Sequence, residues 1–302
     1  MQKPYRFFTF IALLSILSGC FATKELEIFQ PFEFVNQHGQ VCPELLKVLE
    51  LTNIQTDGTL SDIVAKTQAS WLRKPGAERW EMDKLITQHD TELKKLFHEM
   101  NMYDEIKPTK ERYTYLLMLG ALFKTMDQRF AYAIELYKSG IRFDNIVLLA
   151  GARPAVADQG ENVQTFLNYS NLQTLDKIPE TEIEMLQFIY DHANMPDQMR
   201  QIPVQVIAVP MQTTVSGKLT RPTTADTFAA WMQTNPTPGN CLAISNQPYV
   251  GYQHTVIKTL LPSDFSIETV GAESSQNEEI AVMLDTLARI LYQEQQRPKQ
   301  SN

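Results

Sequence analysis

The chain has 302 residues, of which 43% are hydrophobic, so it can bury a full core and form one large or two small domains. Its formal net charge of -8 argues against a general affinity for nucleic acid or anionic lipid, because both partners require a surplus of lysine and arginine. We therefore expect no nucleic-acid partner, and only local basic sites to matter.

The N-terminal residues have the order of a bacterial lipoprotein signal. A short head with Lys3 and Arg6 precedes an apolar run over residues 7–17, and Leu17-Ser18-Gly19-Cys20 closes it. In such signals the cysteine is acylated and the residues before it are removed. The run is also shorter than the roughly 20 residues that a membrane span takes. We expect residues 1–19 to be a signal peptide and Cys20 to carry a lipid anchor; the alternative is a plain secretory signal with an incidental cysteine.

Phe21 follows this cysteine, where an aspartate would retain a lipoprotein at the inner membrane. In a Gram-negative host, the resemblance to sorted lipoproteins implies the periplasmic face of the outer membrane. An oxidising compartment would permit a disulfide between Cys42 and Cys241. Cys241 is equally typical of a small core residue, so the pattern leaves the bridge open.

Residues 20–106 are expected to form a tether and a helical layer on a larger domain. The apolar spacing predicts helices from Pro43, from Ser61 or Asp62 to Leu72, and over about 78–103. His89 and His98 have no cysteine or carboxylate at metal-ligand spacing, so we interpret them as ordinary helix residues and predict no metal site.

Residues 107–297 show strands and helices in alternation, with 298–302 as a tail. Strands are predicted over 113–120, 145–151, 204–209, 241–245 and 267–270, and helices over 125–138, 181–193, 224–234, 249–261 and 278–295. Strands that are apolar along their whole length indicate a parallel sheet with both faces covered. The sequence therefore predicts a doubly wound α/β domain with a mostly parallel, Rossmann-like five-stranded sheet and an N-terminal helical layer.

This architecture places a ligand at the carboxyl ends of the strands. Small residues there let a ligand approach the backbone, and arginines nearby favour an anion. The candidate ligand-binding residues are Gly120, Ala121, Arg129, Gly151, Arg153, Arg221, Thr224, Ser245, Asn246 and Gln247. The alternative is that the glycines only turn the chain and the arginines pair with surface carboxylates.

Catalytic motifs are scarce. The sequence has no Gly-x-Ser-x-Gly elbow, P-loop, Rossmann glycine triplet or His-Glu-x-x-His motif, so the cofactor stays unknown. Glu182 and Asp226 are candidate catalytic residues for general acid and base work if the fold brings them together, although carboxylates at helix starts often only cap the helix. Ser245 with His254 is a weaker pair, since His254 falls well inside a helix.

Two loops are long for this fold. Residues 153–179, with Phe166 and Tyr169, are predicted to be a lid over the strand ends or, alternatively, a disordered insertion. Residues 211–222 bring Lys218 and Arg221 to the same edge.

An ordered set of short motifs runs from about Tyr113 to Glu273: Leu119-Gly120-Ala121, Arg129, Ala150-Gly151, Thr181-Glu182, the stretch 221–227, and Ser245-Asn246-Gln247-Pro248-Tyr249. In this order the chain resembles the SanA, YdcF and ElyC-like proteins of the bacterial envelope, α/β domains of largely unresolved activity. It departs from them where they have a histidine and an arginine after the serine, and where Thr227 stands for an asparagine. The resemblance implies a role in envelope maintenance.

The sequence thus predicts a lipid-anchored envelope protein that binds a small or lipid-linked anionic metabolite, phosphorylated or nucleotide-like. One alternative is a hydrolase or transferase acting on a phosphate ester, with Glu182 or Asp226 as base. Another is a non-catalytic scaffold whose N-terminal helices bind a partner protein. A deep pocket with a carboxylate at the site would favour the enzyme, and a pocket blocked by Phe166 or Tyr169 would favour the scaffold.

Overall fold

The computed structural model describes residues 32–36, 39–74, 77, 79–82, 88–214, 217–274 and 278–297. The predicted signal peptide, the predicted lipidation site Cys20 and the tail 298–302 lie outside the described residues. Within those ranges no helix has the length and apolar character needed to cross a membrane.

A parallel five-stranded sheet forms the centre of the molecule. The described residues contain seven strands, five of them in this sheet: β1 (Arg112–Leu119), β2 (Arg142–Gly151), β3 (Val204–Val209), β4 (Gln212–Thr213), β5 (Leu219–Thr220), β6 (Asn240–Asn246) and β7 (Ser266–Ala272). The sheet order is β3-β2-β1-β6-β7, and β4 and β5 form a separate antiparallel pair within the 211–222 loop. The doubly wound α/β class predicted from the sequence is confirmed.

Ten α-helices surround the sheet in the described part of the chain. They are α1 (Pro43–Leu51), α2 (Leu60–Trp71), α3 (Asp90–Glu99), α4 (Phe123–Lys138), α5 (Val163–Ser170), α6 (Glu182–His192), α7 (Asp197–Arg200), α8 (Thr224–Met232), α9 (Val250–Leu260) and α10 (Ile280–Gln296). Alternate residues of β1 face opposite sides, as the period of a strand requires. Leu116 packs in the core that contains α4 and α6, whereas Leu117 packs in the core with α8 and α9. Burial on both faces explains why the strand is apolar along its length.

The strand order creates a switch point between β1 and β6. The chain adds β2 and β3 on one side of β1 and then crosses to place β6 and β7 on the other side. Connections leave the carboxyl ends of β1 and β6 in opposite directions, which opens the crevice where ligands of such sheets bind.

The helical layer packs on α10 and on the strand ends. Residues of α1, α2 and α3 share a third core with α10, and Leu45, Ile63, Leu93 and Leu287 are fully buried in it. The Nε2 group of Gln247, directly after β6, donates to the carbonyls of Asn101 at 2.7 Å and Asp104 at 2.8 Å. These bonds fix the layer above the carboxyl edge of the sheet.

Two sequence expectations are corrected by the structure. The single helix expected over 78–103 is replaced by a 3-10 turn, Arg79–Glu81, and by α3, whose acidic first turn suits a helix start. The segment 153–179 carries α5, and Phe166 belongs to the core rather than to a lid, because it is buried against Phe123, with ring centroids 5.1 Å apart.

The disulfide that the sequence left open does not form. Cys42 and Cys241 are free and buried in two different cores. Burial raises the pKa of each thiol to about 12, so both behave as small apolar core residues.

Candidate functional site

A cavity of about 580 Å³ lies at the carboxyl ends of β1 and β2. The helical layer, α9 and the start of α10 complete its walls. Its volume falls in the range of about 300–1,000 Å³ that is usual for small-molecule sites.

Five arginines line this cavity, and each comes from a different segment of the chain. They are Arg73 after α2, Arg79 on the 3-10 turn, Arg129 on α4, Arg221 before α8 and Arg289 on α10. Burial lowers the pKa of Arg73, and the charges of Arg79, Arg289 and Arg221 lower it further. The guanidinium groups are therefore close enough to repel one another, an arrangement that favours an anionic partner.

Arg129 is a buried cation held by neutral acceptors. Only 3% of it is exposed. Its Nη1 donates to the carbonyls of Leu119 at 2.8 Å and Gly120 at 3.1 Å. Its Nε and Nη2 donate to Oδ1 of Asn246 at 3.1 and 2.9 Å. These bonds join the ends of β1 and β6, so the guanidinium lies at the switch point.

The charge of Arg129 persists at neutral pH. Burial, followed by the charge of Arg79, lowers its pKa to about 10, while Glu182 opposes the shift. A desolvated cation whose hydrogen bonds go to neutral groups is strongly attracted to an anion. Arg129 is the centre of the site.

Arg73 and Arg289 share one carboxylate, Asp285, whose side chain is fully buried. Arg289 donates to it from Nε at 2.9 Å and from Nη2 at 3.2 Å. Nη1 of Arg73 lies 3.5 Å from the same carboxylate, and among the described residues this buried nitrogen has no hydrogen-bond partner. Two guanidinium groups on one carboxylate leave this wall positive.

Arg79 lies over the ring of Tyr249, with the guanidinium carbon 3.9 Å from the ring centroid. Its buried Nε has no hydrogen-bond partner in the described part of the chain. The stacking fixes the plane of the guanidinium and leaves its donors for another group. Tyr249 therefore contributes to the site by holding the guanidinium of Arg79 in place.

Carboxylates also line the cavity. Oε2 of Glu182 accepts from the backbone N–H of Gly151 at 3.0 Å, and Oε1 lies 3.7 Å from Nε of Arg153. Burial raises the pKa of Glu182 even though Arg153 opposes the shift, and burial likewise raises that of Glu278. The site therefore combines cations with carboxyl groups that accept protons readily.

Two predicted glycines make room for side chains of the protein. A Cβ on Gly120 would lie 2.9 Å from Cδ of Glu182, and one on Gly151 would lie 2.8 Å from Cγ of Pro222. Gly120 still lines the cavity, but both positions are small because the site's own residues pack against them.

Arg153 is bound by a carboxylate behind the cavity. Its Nη1 and Nη2 donate to the two oxygens of buried Glu161 at 2.7 and 2.8 Å. Glu161 also accepts from the backbone N–H groups of Phe123 and Val156. Since Arg153 does not line the cavity, its contribution is to position Glu182.

The fold thus brings together half of the predicted residues. Gly120, Ala121, Arg129, Glu182, Arg221 and Thr224 line the cavity, whereas Gly151, Arg153, Asp226, Ser245, Asn246 and Gln247 do not. Asn246 orients Arg129, and Gln247 holds the helical layer.

Neither predicted catalytic pair is assembled. Asp226 caps α8 by accepting from the N–H of Thr223 at 2.7 Å and from its hydroxyl at 2.6 Å. Burial raises the pKa of Asp226, but these bonds outweigh that effect and hold it below its usual value. His254 packs against the ring of Phe32, with centroids 5.3 Å apart, and burial lowers its pKa to about 4. Ser245 is buried, and no hydrogen bond joins it to His254 among the described residues.

Sequence reasoning missed the part of the site that the helical layer supplies. Arg73, Arg79 and Arg289 do not belong to any motif in the sequence. The Asp285 and Arg289 spacing of four residues on a helix was the one available signal. Within the described residues, no group of His, Cys, Asp and Glu side chains could hold a metal ion.

No protein-family model, no curated protein and no solved structure matches this chain.

Proposed function

We propose that the protein binds a small or lipid-linked metabolite through a phosphate or similar anionic group in the arginine-lined cavity. The observation that carries this proposal is Arg129, a buried cation at the switch point whose hydrogen bonds go to neutral acceptors. Binding of an anion there compensates a charge that burial leaves costly.

The remaining volume suits an organic group. Tyr249, Tyr252 and Gln253 line the same cavity and offer aromatic faces and an amide. The signal at Cys20 and the resemblance to the SanA, YdcF and ElyC-like proteins support a lipid-anchored protein of the envelope, at the periplasmic face of the outer membrane in a Gram-negative host. We infer a role in envelope maintenance.

Native mass spectrometry of the full chain, purified from its own envelope, tests the proposal. We expect an anionic adduct in the wild type and its loss in Arg129→Met and in Arg221→Met. Arg112→Met is the control, because Arg112 is exposed at the opposite end of β1 and pairs with Asp144. An adduct that persists in both cavity variants would contradict the proposal. Circular dichroism verifies that the variants fold.

A second candidate function, hydrolysis or transfer of a phosphate ester, is favoured by Glu182. Its carboxyl group faces the cavity, and burial raises its pKa toward the range that suits a general base. Glu182 would take a proton from water or an alcohol as that oxygen bonds to phosphorus, while the ester P–O bond breaks and the leaving oxygen is protonated.

Release of p-nitrophenol from p-nitrophenyl phosphate measures this reaction. We expect turnover to fall at least about 100-fold in Glu182→Gln and to persist in Asp191→Asn, an exposed change on the same helix outside the cavity. Equal turnover in the two variants would exclude Glu182 as the base. The blocked pocket that would favour a scaffold is not seen, since neither Phe166 nor Tyr169 lines the cavity.

A further inference from the structure

Four of the five arginines that line the cavity divide into two positions and one residue, Arg79, that is electrostatically coupled to both. Arg129 lies at the ends of β1 and β6, and Arg73 and Arg289 lie beside Asp285 of α10. Burial lowers the pKa of both Arg129 and Arg73, and in each case the charge of Arg79 is the next largest contribution. Arg79 is therefore within electrostatic reach of both groups.

Arg79 and Arg73 each have a buried nitrogen that can donate a hydrogen bond to a ligand. Nε of Arg79 and Nη1 of Arg73 are buried, and neither has a hydrogen-bond partner in the described part of the chain. Buried donors are almost always paired, so these nitrogens indicate a position where ligand oxygens belong. Arg129 marks a second position by its charge, because the hydrogen bonds that it makes within the protein go to neutral acceptors.

On the basis of the proposed function, we propose that the ligand carries two linked phosphate groups, as in a diphosphate ester. One phosphate binds Arg129, the other binds Arg73 and Arg289, and Arg79 contacts both. A single phosphate bound at Arg129 would leave the unpaired buried nitrogens of Arg79 and Arg73 without acceptor oxygens. A diphosphate supplies both the oxygens and the charge.

The carboxyl groups of the cavity are compatible with this ligand. Glu182 lies beside Arg153 and Arg221, and Glu278 lies near Arg79. Because burial already favours their protonated forms, each can take up a proton when an anion enters. A protonated carboxyl group then donates a hydrogen bond to phosphate instead of repelling it.

Isothermal titration calorimetry of the full chain with inorganic phosphate and with inorganic pyrophosphate tests the inference at one pH and one salt concentration. We expect pyrophosphate to bind at least about 10-fold more tightly, the effect of one charge-assisted contact. Arg79→Met should weaken pyrophosphate binding more than phosphate binding, because Arg79 contacts both phosphates of the diphosphate, and so reduce this ratio to near one.

Arg142→Met is the matched control for Arg79→Met. The guanidinium of Arg142 lies over the ring of Tyr137, 4.4 Å from its centroid, at the amino end of β2. We expect this variant to keep the wild-type ratio of pyrophosphate affinity to phosphate affinity. A ratio that falls only in Arg79→Met would then be due to the loss of a cavity contact.

The outcomes separate the two proposals. Equal affinity for phosphate and pyrophosphate, or a preference that Arg79→Met leaves unchanged, would overturn the diphosphate and leave the proposed function standing. If neither anion binds, both proposals fail. If pyrophosphate is preferred, uridine diphosphate and geranyl diphosphate distinguish the source of the ligand: tighter binding of the first indicates a soluble diphosphate, and tighter binding of the second a lipid-linked one. Tighter binding of either compound than of phosphate supports the diphosphate proposal. Weaker binding of both overturns it.

Discussion

Two buried arginines of this protein show how one residue type takes opposite roles. Arg153 is satisfied by the carboxylate of Glu161, eight residues along the chain. Arg129 instead reaches Asn246, a residue 117 positions away, and backbone carbonyls. A carboxylate neutralises the first cation, whereas the second keeps an unneutralised charge at the cavity. We attribute anion binding to Arg129 for this reason.

Asn246→Asp tests that attribution by giving Arg129 its own carboxylate. We expect the affinity for inorganic phosphate, measured by calorimetry, to fall at least about 10-fold, because the new charge pairs with the guanidinium and repels the anion. The protein should remain folded, since the hydrogen bonds to Arg129 are kept.

Asn240→Asp on the same strand is the control for this change. Asn240 lies at the exposed amino end of β6, where its Oδ1 accepts from the hydroxyl of Ser266 at 2.6 Å. Unchanged affinity in Asn240→Asp together with unchanged affinity in Asn246→Asp would show that Arg129 does not bind the anion.

Gly151→Ala addresses the packing of the site. The added Cβ would lie 2.8 Å from the rigid ring of Pro222, so we expect a loss of about 1–3 kcal/mol in the free energy of unfolding. Gly160→Ala is the comparison variant. Its added Cβ would meet nothing within 4 Å, so its loss in the free energy of unfolding comes only from backbone strain at the left-handed φ of 81°. Urea unfolding of both variants measures the difference. An equal or smaller loss in Gly151→Ala would mean that Pro222 moves aside.

At the scale of elements, local signals position the edge of the site. Thr181 and Glu184 form a capping box, and it begins α6 so that Glu182 enters the cavity. Thr223 and Asp226 form a second box at α8 and place Thr224 on the cavity wall. A carboxylate at a helix start can thus be a cap, as Asp226 is, or a cavity group, as Glu182 is.

The helical layer depends on one side chain at the strand end. Gln247→Leu removes the donor to the carbonyls of Asn101 and Asp104, so we expect a loss of about 1–3 kcal/mol in the free energy of unfolding and faster hydrogen exchange in α3. Gln205→Leu is the control, because Gln205 is exposed and its Nε2 makes one 3.3 Å bond to Thr234. Unchanged exchange in α3 would show that packing on α10 alone holds the layer.

At the scale of the whole molecule, the sheet could be predicted, and the part of the site that the helical layer and α10 supply could not. Fully apolar strands and the helices between them fixed the order of elements, because such strands are stable only when both faces are covered. The residues after each strand followed from that order. Arg73, Arg79 and Arg289 did not, because they reach the cavity only through the packing of the helical layer on α10. That packing joins segments about 200 residues apart and leaves no local pattern.

A buried carboxyl group near the C-terminal end of α10 makes the free energy of unfolding depend on pH. Oε1 of Glu294 accepts from the N–H of Phe34 at 2.7 Å, and burial raises the pKa of this carboxyl from 4.5 to about 8, with Arg297 opposing and Glu33 adding to the shift. A raised pKa means that the folded state holds the proton more tightly. Its stabilising contribution is complete below pH 4.5 and is lost as the pH rises through 8.

Glu294→Gln keeps the acceptor for Phe34 and removes the titration. We expect the free energy of unfolding, measured with urea between about pH 5 and pH 9, to fall less steeply with pH in this variant than in the wild type. Glu50→Gln, an exposed change on α1, should follow the wild type. Parallel curves for the wild type and Glu294→Gln would show that Glu294 is ionised in the folded protein throughout this range.

The central claim is that the arginine-lined cavity holds an anion, and anomalous diffraction from crystals soaked in selenate tests it most directly. We expect a selenium peak within hydrogen-bonding distance of the guanidinium groups of Arg129 or Arg79, and its absence in Asn246→Asp. Selenium peaks confined to surface lysines and arginines, with none in the cavity, would contradict the account.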